Sequence, residues 1–377
     1  MTSLGERSLP TATAGLEKGV ADGYHLGAQL EVWLDGSHVA SVVVGRARDD
    51  VAMRADTLLP WFSCTKIVTA VATLQQWERG ALDLDDPVDR FVPEFAGLGK
   101  ERVTVRHLLT HTAGLREAIS GTDAWRLEWE ALVARIAAAP LDEGWVPGRR
   151  AAYHPTTAFL VLGEIVRRLD GRPFDAYVAE EIFEPLDMPD SWLALTDVRY
   201  SSYGDRMGVM YDTTRKAAPV PVRSMDSARG YRRVQPAGSG VGPMRDLVRL
   251  MEALRGGGEL EGQRVLAPQT VEAMAARHRA GMRDETFGMV IDWGLGVMVN
   301  SFAYRGRPTS YGYGKRAGRR AFGHGGSQSS LAFVDPDAGL AVALCCNGMP
   351  GEAGNHRRTQ PVITALYDDL GLNARTG

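Results

Sequence analysis

The sequence contains little cysteine and shows no spacing typical of metal-binding residues. Three of its 377 residues are cysteines, and two of them, Cys345 and Cys346, are neighbours in the chain. Adjacent cysteines form a poor disulfide pair, and no combination of cysteine and histidine resembles the spacing of a zinc site. We therefore expect reduced thiols, no structural metal and no cofactor.

The sequence also lacks an excess of basic residues and a long hydrophobic run. Its 43 lysines and arginines are balanced by 46 acidic residues, giving a net charge of −3, which argues against a nucleic-acid partner. No apolar run approaches the roughly 20 residues that span a bilayer, so we expect no membrane partner. The first residues carry neither the basic nor the apolar region of a secretory signal, which predicts a cytoplasmic protein.

The composition is that of a folded protein with β-strands near both ends of the chain. Hydrophobic residues make up 44% and charged residues 24%, which is ordinary globular usage. Residues 28–46 contain two β-rich runs joined by an Asp-Gly turn, and residues 329–347 contain two apolar runs around another strong turn signal. A further β-like stretch covers residues 289–301. The Gly- and Arg-rich residues 304–320 predict a long loop between strands.

The middle of the chain is mostly helical. Apolar residues recur at three- and four-residue spacing over residues 63–79 and 156–169, and the last segment, residues 359–370, also predicts a helix. This order predicts an α+β (mixed α/β) fold in which one antiparallel sheet is closed by the two terminal segments and flanked by terminal helices. The expected sheet domain comprises residues 1–62 and 285–377, and residues 63–284 form a mostly helical domain. The active site is expected at their junction.

Ser63 and Lys66 stand at the start of a predicted helix, three residues apart, so that both side chains project from one helical face. A serine hydroxyl needs a base to become a nucleophile, and a lysine serves as that base only when its pKa falls below its usual value of about 10.4. A helix N-terminus favours negative charge on an attacked carbonyl oxygen, which suits acyl transfer. Taken alone, the pattern fits a helix-capping serine and a surface lysine better.

Two further segments favour the catalytic interpretation. Residues 153–155 (Tyr-His-Pro) lie just ahead of a predicted helix, and residues 322–327 (Phe-Gly-His-Gly-Gly-Ser) lie just before a predicted β-hairpin. The order of the three segments resembles the serine β-lactamase and penicillin-binding-protein superfamily, in its class C-like branch of esterases, peptidases and acyltransferases. Residues 80–88, 103–115 and 323–347 also look like that branch, so the resemblance extends over most of the chain.

The resemblance implies a β-lactamase-like fold and a set of catalytic groups. It assigns Ser63 as the nucleophile, Lys66 as its general base and Tyr153 as the group that passes a proton to the leaving atom. The backbone N–H groups of Ser63 and Ser327 are implied to form the oxyanion hole. The other residues expected to contact substrate are His324, Gly325, Gly326, His154 and Trp61.

Two departures from the family pattern limit what the resemblance implies. The family often has Tyr-x-Asn, whose asparagine amide touches substrate and lysine, whereas this chain has Pro155 at the third position. The final motif begins with His324 where lactamases and transpeptidases usually have a lysine, so a fixed cation is replaced by a titratable imidazole. Recognition of a β-lactam or a peptide amide is therefore less expected than recognition of an ester.

The histidines and tryptophans have competing interpretations. His324 is expected to tune Tyr153 or to bind substrate, and the alternative is a strand histidine bonded to backbone. A substrate contact and a structural role are equally expected for His154. For His107 and His111, a structural role at a helix end and turn is expected. Trp61 is a candidate lining of the acyl pocket, with a place in the core as its alternative.

These observations predict serine-dependent acyl-enzyme catalysis on a small-molecule ester or activated amide. With water as the second nucleophile the protein is an esterase, and with an amine or alcohol acceptor it is a biosynthetic transacylase. The alternatives are a β-lactamase or D-Ala-D-Ala peptidase and, from another class, a non-catalytic binding module of the same fold. The expected partners are a small-molecule acyl donor and an amine or alcohol acceptor, and the sequence does not define the oligomeric state.

Overall fold

The computed structural model describes residues 7–115, 118–119, 127–301 and 311–372. Its centre is an eight-stranded sheet in which every pair of neighbouring strands is antiparallel. In spatial order the strands are Asp292–Trp293, Met298–Val299, Phe322–Gly326, Ser330–Asp335, Leu340–Cys346, Gly27–Leu34, Ser37–Arg48 and Val51–Ala52. The N-terminal hairpin therefore joins the C-terminal strands in one sheet, which confirms the predicted sheet architecture.

The hairpin turn has the geometry that its sequence predicts. The two turn residues, Asp35 and Gly36, have φ angles of 49° and 86°. Two consecutive positive φ values match the right-handed twist of the flanking strands, and aspartate followed by glycine tolerates them well. The strand after Gly36 extends to Arg48, two residues further than the predicted run.

The strand Leu340–Cys346 shows why the sheet is covered on both faces. Its alternate residues Leu340, Val342 and Leu344 enter one apolar cluster, together with side chains of the two terminal helices. The residues between them, Ala341 and Ala343, enter a second cluster on the opposite face. Because side chains alternate along a strand, a strand that is apolar throughout must be buried on both sides.

Helices form the remaining layers. The terminal helices Pro10–Ala21 and Glu352–Asp369 pack together on one face of the sheet. The other helices are Thr65–Glu78, Val105–Leu109, Trp129–Ala138, Thr157–Asp170, Phe174–Val178, Asp197–Tyr203, Ala228–Tyr231, Met244–Arg255 and Pro268–Ala275. No helix in the described ranges has both the length and the apolar character needed to cross a membrane.

Among the described residues, short two-residue strands form four small sheets outside the main sheet. They are Leu59–Pro60 with Val241–Gly242, Tyr211–Asp212 with Val220–Pro221 and Gly348–Met349, Glu259–Leu260 with Gln263–Arg264, and Arg283–Asp284 with Met289–Val290. Residues 304–310 of the predicted loop lie outside the described residues, and residues 311–320 form neither helix nor strand.

The predicted domain boundaries differ from the observed packing at one helix. Met244–Arg255 falls inside the range 63–284 that was expected to form the helical domain, but it packs against three strands of the sheet. Its apolar side chains share a cluster with the inner face of those strands. The helix Thr65–Glu78, which carries Lys66, packs against Thr157–Asp170 and touches the strand Phe322–Gly326. The first residues after 62 therefore lie between the helices and the sheet.

Candidate active site

Ser63 lies in the short 3₁₀ turn Phe62–Cys64, immediately before the helix Thr65–Glu78. Phe62, the residue before it, has a φ of 48°, in the left-handed region that a bulky residue rarely adopts. Such a conformation costs of order 1–3 kcal/mol and persists only where surrounding structure enforces it. The chain therefore turns sharply just before Ser63.

The side chains of Ser63, Lys66 and Tyr153 meet at the serine oxygen. Lys66 Nζ lies 3.2 Å from Ser63 Oγ, and the Tyr153 hydroxyl donates a hydrogen bond of 2.8 Å to the same oxygen. The structure thus brings together the three residues to which the family resemblance assigns catalysis. Both neighbours are within the reach that proton transfer requires.

Lys66 is fully buried, and its other two neighbours are backbone carbonyl oxygens. Its Nζ donates to Pro155 O at 2.8 Å and to Ala237 O at 2.9 Å, and it forms no ion pair within the described part of the chain. Burial without a compensating carboxylate lowers the pKa of Lys66 well below its usual value. Burial therefore favours the neutral amine more in Lys66 than in an exposed lysine.

The segment that supplies the Ala237 carbonyl is fixed to the same helix by two threonines. Thr69 Oγ1 donates to Pro236 O at 2.6 Å, and Thr65 Oγ1 accepts from the Gly240 N–H at 2.9 Å. Sequence reasoning did not identify this segment as part of the site. Its only signal was the turn-rich run of proline, glycine and serine at residues 236–240, which does not indicate what its carbonyls contact.

A buried ion pair positions the backbone of Tyr153. Its backbone N–H donates to Asp284 Oδ1 at 3.1 Å, and Asp284 Oδ2 accepts from Arg279 Nη2 at 2.9 Å. Both charged side chains are almost completely buried. Burial raises the pKa of the Tyr153 phenol, although its bond to Ser63 opposes this effect. Tyr153 therefore stays protonated and acts as a hydrogen-bond donor.

The strand Phe322–Gly326 approaches Ser63 closely because Gly326 has no side chain. A Cβ at Gly326 would lie 2.4 Å from Trp61 O and 2.9 Å from Phe62 Cβ, far inside contact distance. The next residue, Ser327, is exposed in the turn after the strand, and no hydrogen bond engages its N–H within the described ranges. The Ser327 N–H therefore follows directly on the strand end that packs against Trp61 and Phe62.

His324 is buried and uncharged, unlike a substrate-binding cation. It is 2% exposed, and its Nδ1 lies 2.6 Å from Gly325 O, which fixes the proton on that nitrogen. Burial lowers the pKa of His324 to about 3, so the imidazole is neutral. Its ring centre lies 5.9 Å from that of Tyr153. This position favours the predicted influence on Tyr153 over contact with substrate.

His111 and His154 form a buried pair beside Tyr153. The Leu115 N–H donates to His154 Nε2, so the proton of a neutral His154 ring is on Nδ1, which lies 3.3 Å from His111 Nδ1. His111 Nδ1 also accepts from the His154 N–H, so its own proton is on Nε2. Burial lowers the pKa of His111 well below its usual value. The His111 ring packs 4.7 Å from that of Tyr153, a neighbour that sequence reasoning did not anticipate.

Two residues expected to contact substrate are placed in the interior instead. Trp61 is fully buried, and its indole Nε1 donates to Gly242 O at 3.0 Å. His154 is fully buried as well. The structure therefore does not bring these two side chains to a substrate surface, because both rings are buried and hydrogen-bonded to the backbone, at Gly242 O and Leu115 N. Gly325 does border the site region, and the space that its side chain would occupy is filled by the ring of Tyr311.

Comparisons with known proteins agree with this fold. Residues 13–365 match the family model described as Beta-lactamase. Esterase EstB of Burkholderia gladioli is 32% identical over 358 residues, covering 84% of this chain and 82% of EstB. The esterase/beta-lactamase LipL of Mycobacterium tuberculosis is 29% identical over 348 residues, covering 85% of this chain and 77% of LipL.

A solved structure gives the same result. A penicillin-binding protein homologue from Caulobacter crescentus superposes with a TM-score of 0.80 at 32% identity, covering 96% of this chain and 97% of its own. The chain therefore belongs to the β-lactamase family. The esterase relatives and the fold make it an enzyme of serine acyl-enzyme catalysis.

Proposed function

We propose that the protein hydrolyses uncharged esters through an acyl-enzyme on Ser63, with Lys66 as general base and Tyr153 as proton donor. The observation that carries this proposal is the environment of Ser63 Oγ. It receives a hydrogen bond from Tyr153 and lies 3.2 Å from a lysine nitrogen that is buried with two carbonyl oxygens. Acyl transfer to an amine or alcohol is the second reaction that the same acyl-enzyme supports.

Lys66 is arranged to accept the serine proton. A neutral amine has two N–H bonds and one lone pair. Both N–H groups donate hydrogen bonds, one to Pro155 O and one to Ala237 O. The lone pair is then left to accept the hydroxyl proton of Ser63. In acylation, Ser63 Oγ forms a bond to the carbonyl carbon of the ester, and the hydroxyl proton moves to Lys66 Nζ.

The oxyanion of the tetrahedral intermediate is assigned to two backbone donors. The Ser63 N–H lies in the first turn of the 3₁₀ segment, where helical N–H groups lack internal partners. The Ser327 N–H lies in the turn after the strand that packs on Phe62. Backbone donors held in place in this way stabilise developing negative charge without reorganising during the reaction.

Tyr153 completes the proton transfer. As the bond between carbonyl carbon and leaving oxygen breaks, Tyr153 gives its hydroxyl proton to that oxygen and recovers a proton from the Lys66 ammonium. Lys66 returns to its neutral form, so each acylation is balanced in protons. Water or an alcohol then attacks the acyl carbon and gives its proton to Lys66. The bond between Ser63 Oγ and the acyl carbon breaks, and the Lys66 and Tyr153 pair returns a proton to Ser63 Oγ.

An uncharged ester suits the site better than a carboxylate-bearing substrate. The motif strand places a buried, neutral His324 where lactamases and transpeptidases usually have a lysine, so it offers no cation to a substrate carboxylate. Pro155 contributes its backbone carbonyl to Lys66 and has no side-chain donor for a substrate amide. The cytoplasmic location and a biosynthetic role for acyl transfer stay predictions from the sequence.

A substrate panel tests this proposal. Purified protein and Ser63→Ala are assayed with simple alkyl esters, a cephalosporin and a D-Ala-D-Ala peptide, and the ester assays are repeated with added amines or alcohols. We expect Ser63-dependent ester cleavage to exceed turnover of the other two classes. Efficient turnover of the cephalosporin or peptide with poor ester turnover contradicts the proposal, and no Ser63-dependent turnover of any class favours a non-catalytic binding module.

A further inference from the structure

Two half-buried aromatic side chains extend outward from Tyr153. The ring of Phe287 lies 5.1 Å from that of Tyr153, and the ring of Tyr311 lies 6.5 Å from that of Phe287. Both pack against the apolar cluster that contains Tyr153 and Trp293. Since they keep part of their surface exposed, they form an aromatic surface that begins at a catalytic hydroxyl.

The aromatic surface is fixed relative to Ser63 by hydrogen bonds. Asp284 Oδ1 accepts from the N–H groups of both Tyr153 and Phe287, each at 3.1 Å. The same carboxylate therefore links the backbones of the two residues that carry these rings. Its charge is held in place by the buried Arg279.

Tyr311 does not depend on Asp284 for its position, because its hydroxyl makes two hydrogen bonds of its own. That oxygen accepts from the Gln328 N–H at 2.9 Å and donates to Glu352 Oε1 at 2.9 Å. The ring rests against Gly325, where a Cβ would lie only 2.0 Å from it. The surface formed by Phe287 and Tyr311 is thus apolar, and the Tyr311 hydroxyl is already hydrogen-bonded on both sides.

The position of the proton donor identifies which part of an ester reaches this surface. Tyr153 must come within hydrogen-bond distance of the leaving oxygen, so the carbon chain attached to that oxygen starts beside the Tyr153 ring. The acyl chain is attached to the carbonyl carbon, on the other side of the bond that breaks. The group that continues along Tyr153 is therefore the alcohol part of the substrate.

We propose that Phe287 and Tyr311 bind the hydrocarbon part of the alcohol moiety, so that the enzyme selects esters of apolar alcohols. This inference rests on the proposed function of Ser63 and Tyr153. The same surface receives an acceptor alcohol in acyl transfer, since transfer to an alcohol is the reverse of ester cleavage. Burying one methylene group is worth roughly a fourfold change in kcat/KM.

Two ester series separate the alcohol side from the acyl side. One series consists of acetates of alcohols from ethanol to hexanol, and the other consists of ethyl esters of acids from acetic to hexanoic. Each series is measured with the wild type, Phe287→Ala, Tyr311→Ala and Phe91→Ala. Phe91 is a matched control because it is also half-buried, and its ring packs against Arg90, 5.5 Å from the guanidinium carbon.

In the wild type, kcat/KM is expected to rise about two- to fourfold per methylene along the alcohol series. Phe287→Ala is expected to flatten that rise and leave the dependence on acyl length unchanged. Tyr311→Ala also removes a ring of this surface and is expected to flatten the rise, whereas the control Phe91→Ala is expected to keep it. Acyl transfer to hexanol is expected to fall in Phe287→Ala by the same factor.

Several outcomes overturn the inference. They are a wild-type kcat/KM that does not depend on alcohol length, an unchanged alcohol dependence in Phe287→Ala, and a change confined to the acyl series. Any of these, with Ser63-dependent ester cleavage intact, contradicts the assignment of the aromatic surface alone. Absence of Ser63-dependent cleavage from both series contradicts the proposed function itself, and the inference falls with it.

Discussion

The side-chain nitrogen of Lys66 lies 2.8 Å from the carbonyl oxygen of Pro155. Where the family resemblance leads one to expect an asparagine side chain near the lysine, this chain supplies a backbone carbonyl. With the Ala237 carbonyl it occupies two positions around the nitrogen and leaves the third for Ser63. A proline at position 155 is therefore compatible with a working general base.

The pH dependence of ester cleavage should report Lys66. Burial lowers the pKa of Lys66, and the reactive form is the neutral amine, so activity rises with pH through that lowered pKa. Burial raises the pKa of Tyr153, so the donor keeps its proton and no alkaline fall follows from it. A non-ionising ester should therefore give a kcat/KM profile with its midpoint well below about pH 10.4. A midpoint at the ordinary lysine value contradicts this role.

Tyr153→Phe should separate proton donation from nucleophilic attack. The variant keeps the ring packed against Phe287 and loses the hydroxyl that contacts Ser63. With alkyl esters, whose leaving alkoxide needs a proton, kcat is expected to fall about 10²- to 10⁴-fold. With a p-nitrophenyl ester, whose leaving group departs as an anion, the fall should be clearly smaller. Equal losses with both esters would show that the hydroxyl does not protonate the leaving group.

Gly326→Ala should damage the oxyanion site. The added methyl group would lie 2.2 Å from Ser330 Oγ and 2.4 Å from Trp61 O, so the strand must move away from Phe62. Loss of one oxyanion donor costs about 10²- to 10³-fold in kcat, and a fall of that size is expected. Gly80→Ala is the control, because its φ of 70° strains the new residue in open space. The control should lose stability and keep its kcat, whereas an unchanged kcat in Gly326→Ala contradicts the assignment.

Asp284→Asn should destabilise the fold through Arg279. The substitution leaves a buried guanidinium without its carboxylate, and removing one member of a buried pair costs about 3–5 kcal/mol. The adjacent Glu285→Gln breaks a partly exposed pair with Arg150 and should cost less than about 1 kcal/mol. Urea unfolding of both variants measures the difference. Equal losses of unfolding free energy in the two variants would show that the buried pair stabilises the fold no more than the exposed pair.

Much of the fold follows from short-range patterns in the sequence. The hairpin after residue 27, the strand pair around residues 335–339 and the helix that carries Lys66 all have local signals, namely a turn dipeptide, apolar runs and helical spacing. The order of the elements along the chain predicted that the strands from both ends form one sheet. The packing of Met244–Arg255 on that sheet was not predicted, because the amphipathic pattern of a helix does not specify which surface covers it.

The site was predictable where side chains carry the chemistry. Ser63, Lys66 and Tyr153 are recognisable by residue type and order, and the structure brings them together. The acceptors of Lys66 were not predictable, because a backbone carbonyl has no residue-specific signature. The link between Arg279 and Asp284 was missed because both lie far from Tyr153 in sequence.

Mass spectrometry of the acylated protein observes the nucleophile most directly. Wild type and Ser63→Ala are mixed with p-nitrophenyl acetate, quenched in acid, weighed intact and then digested for peptide mapping. An acetyl group is expected on the wild type alone, located on the peptide that contains Ser63. Equal labelling of Ser63→Ala, or an acetyl group mapped to another residue, would contradict the assignment of Ser63 as the nucleophile.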